Sequence, residues 1–183
     1  MSIYDGLRRR YQPDKIKWLL VAESPPPAAE IESSRHFYRV PAAGSDRLFV
    51  NTIKALYREG ADQTEAELGA DKQRWLRRFQ ADGCYMIEAL EQSLQHQVTK
   101  PERQELIRQH LPRLIERVGE LAGPDTKIIL IKSNVFVAAT EALKQACWKV
   151  LNHELIDYPG QFNQRRYRKK LQAVMKGRGW QLQ

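Results

Sequence analysis

Four short apolar runs, each followed by polar or turn-forming residues, predict buried β-strands. The first covers residues 17–22 and ends at the sequence ESPPP, which neither a helix nor a strand can continue. The others cover residues 84–87, 127–132 and 154–157. The third is the clearest, because four β-prone apolar residues lie together between turn signals.

Between these runs, apolar residues recur every three or four positions and predict amphipathic helices. Thr64 with Glu67 and Thr99 with Glu102 have capping-box spacing, and Pro112 should kink or restart a helix. The expected helices are one capped by Ser45 and closed at Gly60, one over residues 71–81, one over residues 135–151 after Ser133-Asn134, and one from Asn163 to Gly177.

Strands that alternate with helices predict a parallel sheet with right-handed crossovers, and short hydrophobic strands predict helices on both of its faces. We therefore expect a three-layer α/β/α fold with a central four-stranded parallel sheet. The length of 183 residues fits a single domain, residues 1–183, without internal repeats. Ligands of such sheets collect beyond the carboxyl ends of the strands, so we expect the site there.

The composition is that of a folded protein, with 42% hydrophobic and 28% charged residues. Because every apolar run is far shorter than the roughly 20 residues that cross a bilayer, we expect a cytoplasmic protein with no membrane association. We expect Cys84 and Cys147 to be reduced core thiols. His36 and His153 have no metal-ligand spacing with these cysteines, so we expect no metal.

Positive charge is concentrated at the carboxyl end of the chain. Thirty Lys and Arg against 22 Asp and Glu give a formal net charge of +8. No acidic residue follows Asp157, whereas seven basic residues do: Arg165, Arg166, Arg168, Lys169, Lys170, Lys176 and Arg178. Such a concentration favours binding of phosphate backbones, and the alternative is a solvated helix face without a partner.

Two carboxylates, Glu23 and Glu88, follow strands of the same predicted sheet, which brings both to one edge. Carboxylates beside a glycosidic bond can stabilise an oxocarbenium-like sugar or position water for attack. The alternative is that each residue caps a neighbouring helix or pairs with a surface arginine.

Adjacent aromatic residues, Phe37 and Tyr38, lie between Arg35 and Arg39 in a predicted loop. Aromatic side chains in a basic loop can stack on a nucleobase while the cations contact phosphate. Alternatively, the two rings anchor a long loop onto the core.

Two polar turns that each precede a helix are candidate phosphate contacts, because backbone amides at a helix start can bind phosphate oxygens. Simple capping of the following helix is the alternative. The candidates are Ser133 and Asn134 in the first turn, and Gly160, Gln161, Asn163, Arg165 and Arg166 in and after the second. No nucleoside-triphosphate or dinucleotide fingerprint is present in the sequence.

Five segments in order, VAESPPP, HFYR, YMIEAL, IILIKSNV and YPGQFNQRRYRKKL, together resemble the uracil-DNA glycosylase superfamily, and most of all its small bacterial and archaeal branch. The resemblance covers roughly residues 17–175. It implies a four-stranded parallel sheet between helices, a base flipped out of DNA, and hydrolysis of the N-glycosidic bond of that base without a metal or other cofactor.

The resemblance also implies roles for individual residues. Glu23 would be the catalytic or water-positioning residue, in a base-binding loop with Ser24 and Pro25. Phe37 or Tyr38 would stack on the flipped base. Ser133-Asn134 would lie near the backbone phosphates.

The chain departs from the family pattern at two places. Glu88, which would help to read the edge of the base, stands where asparagine is common, so an acceptor alone replaces a mixed donor and acceptor. Tyr158-Pro159-Gly160 stands where a histidine followed by Pro-Ser is usual.

These observations predict a monomeric, DNA-base glycosylase-like protein that hydrolyses the N-glycosidic bond of a deaminated or damaged base. Its partner would be DNA, either duplex or single-stranded. Two alternatives remain open: a catalytically inactive nucleic-acid-binding module of the same fold, and a hydrolase of free nucleosides or nucleotides.

Overall fold

The computed structural model describes residues 3–27, 36–40, 46–94 and 98–181. Three strands form a parallel sheet in the order β2-β1-β3, and they are β1 (Trp18–Ala22), β2 (Cys84–Glu88) and β3 (Lys127–Leu130). Trp18 lies opposite Cys84 on one side and Lys127 on the other, so all three strands begin at the same end of the sheet. Three of the four predicted strands are thus confirmed.

Nine helices within the described residues connect and flank these strands, which makes the protein α/β as predicted. In chain order they are α1 (Ile3–Arg9), α2 (Arg47–Leu56), α3 (Arg58–Ala61), α4 (Glu65–Ala70), α5 (Lys72–Ala81), α6 (Lys100–Gln109), α7 (Leu111–Leu121), α8 (Ser133–Gln145) and α9 (Gln164–Lys176).

Both capping boxes are confirmed. The Thr64 hydroxyl accepts a hydrogen bond from the Glu67 N–H, and the Glu67 carboxylate accepts one from the Thr64 N–H, which starts α4. Thr99 and Glu102 start α6 in the same way. The chain breaks helical geometry after α6 and restarts as α7 with Pro112 in its first turn, as predicted.

The start of α2 is capped by Asp46, whose side chain accepts a hydrogen bond of 3.1 Å from the Phe49 N–H. The predicted cap, Ser45, lies outside the described residues. The predicted closing residue, Gly60, does not end α2, because Tyr57 already adopts an extended conformation. Gly60 instead lies within α3, where a Cβ atom would come 2.8 Å from Ile53 Cγ2.

The predicted fourth strand, residues 154–157, does not form a ladder with β3. The outer edge of β3 makes only two isolated parallel bridges, Ile128 with Val150 and Ile131 with Ile156. Between the two bridges, the Asn152 side chain makes the hydrogen bonds to Leu130 that the backbone of a neighbouring strand would make. Its Oδ1 accepts from the Leu130 N–H at 3.0 Å, and its Nδ2 donates to the Leu130 carbonyl at 3.2 Å. The described sheet therefore has three strands.

Helix α8 begins at Ser133, with Lys132 as its cap, and ends at Gln145. The sequence predicted a start at Val135 and an end near Leu151. The helix stops early because Cys147 has a φ of 63° and the Leu151 N–H bonds to the Ile128 carbonyl, which draws the chain to the sheet edge. Cys84 is buried as predicted, but Cys147 is exposed, so its prediction as a core thiol is wrong.

The carboxyl-terminal helix α9 packs through one apolar face. Tyr167, Leu171 and Met175 are buried, and the Tyr167 hydroxyl shares a 2.7 Å hydrogen bond with Thr52 of α2. Most of the basic residues of α9 face solvent. None of the described helices is both long enough and apolar enough to span a lipid bilayer.

Candidate active site

The carboxyl ends of β1 and β2 bring two glutamates to the same edge of the sheet. Ala22 pairs with Glu88, and Glu23 is the next residue after Ala22. The Leu90 N–H donates to the Glu23 carbonyl at 2.9 Å, so the two chains stay together beyond the last paired residues. Parallel pairing is the physical reason that residues 65 positions apart meet, as the sequence predicted.

A cavity of about 370 Å³ opens at this edge. Five of the predicted base-site residues lie in its wall: Glu23, Ser24, Pro25, Phe37 and Glu88. Further charged and aromatic groups line it that were not predicted as site residues: His36, Asp46, Arg103, Lys132 and Tyr158. The cavity therefore combines an aromatic wall, two buried carboxylates and several hydrogen-bond donors.

The Glu23 carboxylate is buried and is held by three donors. Lys132 Nζ and Arg103 both contact Oε2, the latter at 3.2 Å, and Asn134 Nδ2 donates to Oε1. A carboxylate buried among cations and an amide keeps one orientation, because each oxygen has a fixed donor. Asn134 is itself buried and supports Glu23. It is therefore not a surface contact of the kind predicted for phosphate.

The Glu88 carboxylate is also buried, and its two oxygens face different neighbours. Arg8 of α1 forms an ion pair with Oε2, and His36 Nε2 lies 3.3 Å from Oε1. Burial raises the pKa of Glu88, but the His36 imidazole and the positive charges of Arg8 and Arg117 outweigh burial and lower it below its usual value. Glu88 is therefore an ionised hydrogen-bond acceptor at neutral pH.

His36 places its Nε2 atom beside Glu88 in the cavity wall. The Tyr38 N–H donates to His36 Nδ1 at 3.3 Å, so Nδ1 acts as an acceptor and Nε2 is the ring nitrogen that can donate a hydrogen bond. Nε2 is buried, and no described residue gives it a hydrogen bond of acceptable geometry, although Glu88 is near. Buried polar atoms are almost always paired, so Nε2 is a candidate donor to a bound ligand.

The two predicted stacking residues have different positions. Phe37 is buried against Phe49, with ring centroids 5.8 Å apart, and it is one of the cavity-wall residues. Tyr38 is not among the described residues of the cavity wall: its hydroxyl accepts a 2.7 Å hydrogen bond from the Met86 N–H at the edge of β2. Burial raises the pKa of Tyr38. Tyr38 thus anchors the loop, as the alternative interpretation held, and Phe37 faces the site.

Lys72 joins the loop that contains His36 and Phe37 to Asp46, the cap of α2. Its fully buried ammonium donates to Asp46 Oδ2 at 2.8 Å and to the His36 carbonyl at 2.9 Å. Asp46 caps α2 and lines the cavity, so a single buried cation holds both the loop with His36 and the start of a helix.

The second predicted phosphate segment lies at the surface beside the cavity. Tyr158 lines the cavity and is 42% exposed, and Phe162, four residues later, is 92% exposed. The predicted residues Gln161, Asn163, Arg165 and Arg166 are exposed, and Gly160 and Ser133 are half-buried. Arg166 lies 3.3 Å from Asp157, and Asn163 makes no side-chain capping bond to α9.

A larger cavity, about 470 Å³, lies at the opposite edge, where the strands begin. Its wall includes Trp18, Trp180 and the exposed lysines Lys15 and Lys17. Open parallel sheets bind ligands beyond the carboxyl ends of their strands, so we take the smaller cavity as the candidate active site.

Within the part of the chain that the structure describes, no cluster of three or more His, Cys, Asp and Glu side chains is arranged to hold a metal ion. The comparisons with known proteins gave no match, whether to a protein-family model, a curated protein or a solved structure. Interpretation of the site therefore depends on its geometry and on the resemblance described above.

Only weak features of the sequence point to the site residues that were not predicted. His36 directly precedes the two predicted stacking residues in the HFYR segment. Lys132 directly follows the clearest apolar run. Arg103 lies on α6, far along the chain from any strand end, and nothing local connects it with Glu23.

Proposed function

We propose that this protein is a DNA-base glycosylase of the uracil-DNA glycosylase-like type, which hydrolyses the N-glycosidic bond of a deaminated base. The observation that carries the proposal is the cavity of about 370 Å³ whose wall includes Glu23, Glu88 and Phe37. A flipped base requires such a slot with an aromatic wall, and a sugar that becomes cationic requires a nearby carboxylate.

The outer side of β3 supports the four-stranded sheet that the resemblance implies, in which a fourth strand extends the three described. The bridges of Ile128 with Val150 and of Ile131 with Ile156 are both parallel, so residues 150–156 run alongside β3 in the direction that such a strand requires. The complete burial of β1 and β2 favours helical cover on both faces, as in a three-layer fold.

The neighbouring polar atoms of His36 and Glu88 favour a deaminated base over its amino parent. Nε2–H of His36 is a donor, and Oε1 of Glu88, 3.3 Å away, is an acceptor. A deaminated base offers a carbonyl oxygen beside a ring N–H, which is the complement of this pair. Cytosine and adenine, the parents of uracil and hypoxanthine, offer an amino group beside an unprotonated ring nitrogen, which would face the wrong partners.

Glu23 supplies negative charge near the sugar in this proposal. As the bond between C1′ and the base nitrogen breaks, positive charge develops on the sugar, and the oriented carboxylate stabilises it. Water then adds to C1′ and its proton leaves with the base. A hydrogen bond from His36 to the base carbonyl stabilises the negative charge that develops on the leaving base.

The segment that follows the cavity-wall residue Tyr158 along the chain supports DNA as the partner. Phe162 is almost fully exposed, and the exposed arginines Arg165 and Arg166 follow it at the start of α9. An exposed aromatic side chain can insert between base pairs, and the basic helix can contact the phosphates that flank the flipped nucleotide.

Lesion-containing oligonucleotides test this proposal. Duplexes and single strands that carry uracil, hypoxanthine or xanthine are incubated with wild-type protein, with Glu23→Gln and with Glu141→Gln, a control at an exposed glutamate of α8. We expect alkali-labile abasic sites with the wild type and the control, and a rate reduced roughly 100-fold or more with Glu23→Gln. No excision of any lesion, or equal rates for Glu23→Gln and wild type, would refute the proposal.

A catalytically inactive DNA-binding module is the second candidate. It is favoured because Lys132, Arg103 and Asn134 already donate hydrogen bonds to both oxygens of the Glu23 carboxylate. This candidate requires tight, strongly salt-dependent DNA binding with no excision. A salt titration of duplex affinity, run beside the excision assay, separates the two: steep salt dependence without abasic sites supports the module.

A further inference from the structure

Lys132 combines a position in the cavity wall with a backbone conformation that is unfavourable for lysine. Its φ is 79°, a region that glycine adopts freely and other residues avoid. Two hydrogen bonds hold it there: its N–H donates to the Ile156 carbonyl at 2.7 Å, and its carbonyl accepts from the Phe136 N–H at 3.1 Å. Since glycine would fit this backbone better, the lysine side chain itself is the feature to explain.

The side chain of Lys132 brings a primary amine into the site. Nζ bonds to Glu23 Oε2 and lies 5.9 Å from the ring centre of Tyr158. The side chain is 32% exposed, whereas Glu23 is only 4% exposed, so a bound molecule can reach the amine. Arg103 contacts the same Glu23 oxygen, which keeps the carboxylate in place when the amine leaves it.

We propose that Lys132 captures an abasic deoxyribose as an imine, an inference that rests on the proposed function. Hydrolysis of an N-glycosidic bond leaves a hydroxyl at C1′, and the opened sugar carries an aldehyde there. Lys132 transfers a proton to Glu23, and its free amine attacks the aldehyde carbon, forming the N–C1′ bond. The resulting carbinolamine loses water and becomes the imine, so one amine and one aldehyde yield one imine and one water.

Reductive trapping tests this inference without any base excision. The probe is a duplex oligonucleotide that already contains an abasic deoxyribose, incubated with the protein and sodium cyanoborohydride, which supplies the hydride that makes the adduct permanent. A matched duplex with a tetrahydrofuran analogue, which has no aldehyde, is the negative control. We expect a covalent protein–DNA adduct with the first duplex and none with the second, and peptide mapping should locate the adduct at Lys132.

Two lysine variants give the decisive comparison. In Lys132→Arg the charge is kept but a guanidinium that stays protonated cannot attack, so adduct should fall at least tenfold. In Lys127→Arg, at the first residue of β3, adduct should equal the wild type. Adduct at another lysine, an unchanged yield in Lys132→Arg, or no adduct overturns the inference. Adduct at Lys132 without excision of any lesion refutes the glycosylase proposal alone, and excision without adduct refutes the capture alone.

Discussion

Substitution of Lys72 by methionine should destabilise the protein strongly, because this ammonium is fully buried between two acceptors. It donates to Asp46 Oδ2 and to the His36 carbonyl, and it lies 4.8 Å from the ring centre of Phe49. Methionine fills a similar volume and keeps the apolar contacts. It leaves a buried carboxylate without a cation and a carbonyl without its donor.

The magnitude follows from these lost partners. Removal of one member of a buried ion pair costs about 3–5 kcal/mol. Asp46 keeps its bond from the Phe49 N–H, so we expect the lower end, about 3 kcal/mol. For a chain of this size, such a loss lowers Tm by roughly 6–12 °C.

Urea unfolding of four proteins measures this effect: the wild type, Lys72→Met, Asp46→Asn and the double variant. The double variant has no unpaired charge, so its loss should be smaller than the sum of the single losses by about 1–3 kcal/mol. Lys144→Met, which breaks only an exposed pair with Glu141, should cost less than about 1 kcal/mol. A loss in Lys72→Met as small as in Lys144→Met, or strict additivity in the cycle, would contradict the reasoning.

Three further predictions concern stability. The pKa of Glu88 in the folded protein lies below its usual value of 4.5. The ionised carboxylate therefore stabilises the fold above pH 4.5, and this stabilisation is lost as pH falls through the folded pKa. In Glu88→Gln the free energy of unfolding should therefore fall less steeply below pH 4.5 than in the wild type. Lys132→Gly should be about 1–2 kcal/mol more stable than Lys132→Ala in urea, since both lose the ion pair and only glycine relieves the positive φ; equal stabilities would exclude strain there. Asn152→Ala leaves the N–H and carbonyl of Leu130 unpaired and should cost about 2–5 kcal/mol by calorimetry, whereas a loss under about 1 kcal/mol would show that water replaces the amide.

The elements that sequence predicted well are those whose signals are local. The apolar run of β1 and the capping box of Thr64 with Glu67 each depend on a few adjacent residues, and both formed as expected. Residues 154–157 have a strand-like pattern but form no ladder with β3, because the side chain of Asn152, two residues earlier, bonds to the outer side of β3. No local pattern distinguishes that amide from an ordinary loop asparagine.

The site residues also divide into those with a local sequence signal and those without one. Glu23 and Glu88 could be predicted together because the end of a parallel strand fixes the edge to which each residue goes. Arg103 and Lys72 come from helices, and their contacts with Glu23 and Asp46 depend on how those helices pack. The residues that orient the carboxylates therefore become visible only in three dimensions.

The most direct test of the proposed function is a crystal structure of Glu23→Gln bound to a duplex that carries the base excised fastest by the wild type. We expect this base outside the helix stack and inside the cavity beside Phe37, with its carbonyl oxygen about 3 Å from His36 Nε2 and its ring N–H about 3 Å from Glu88. A base that remains stacked in the duplex, or DNA bound at another face while this cavity holds no base, would contradict it.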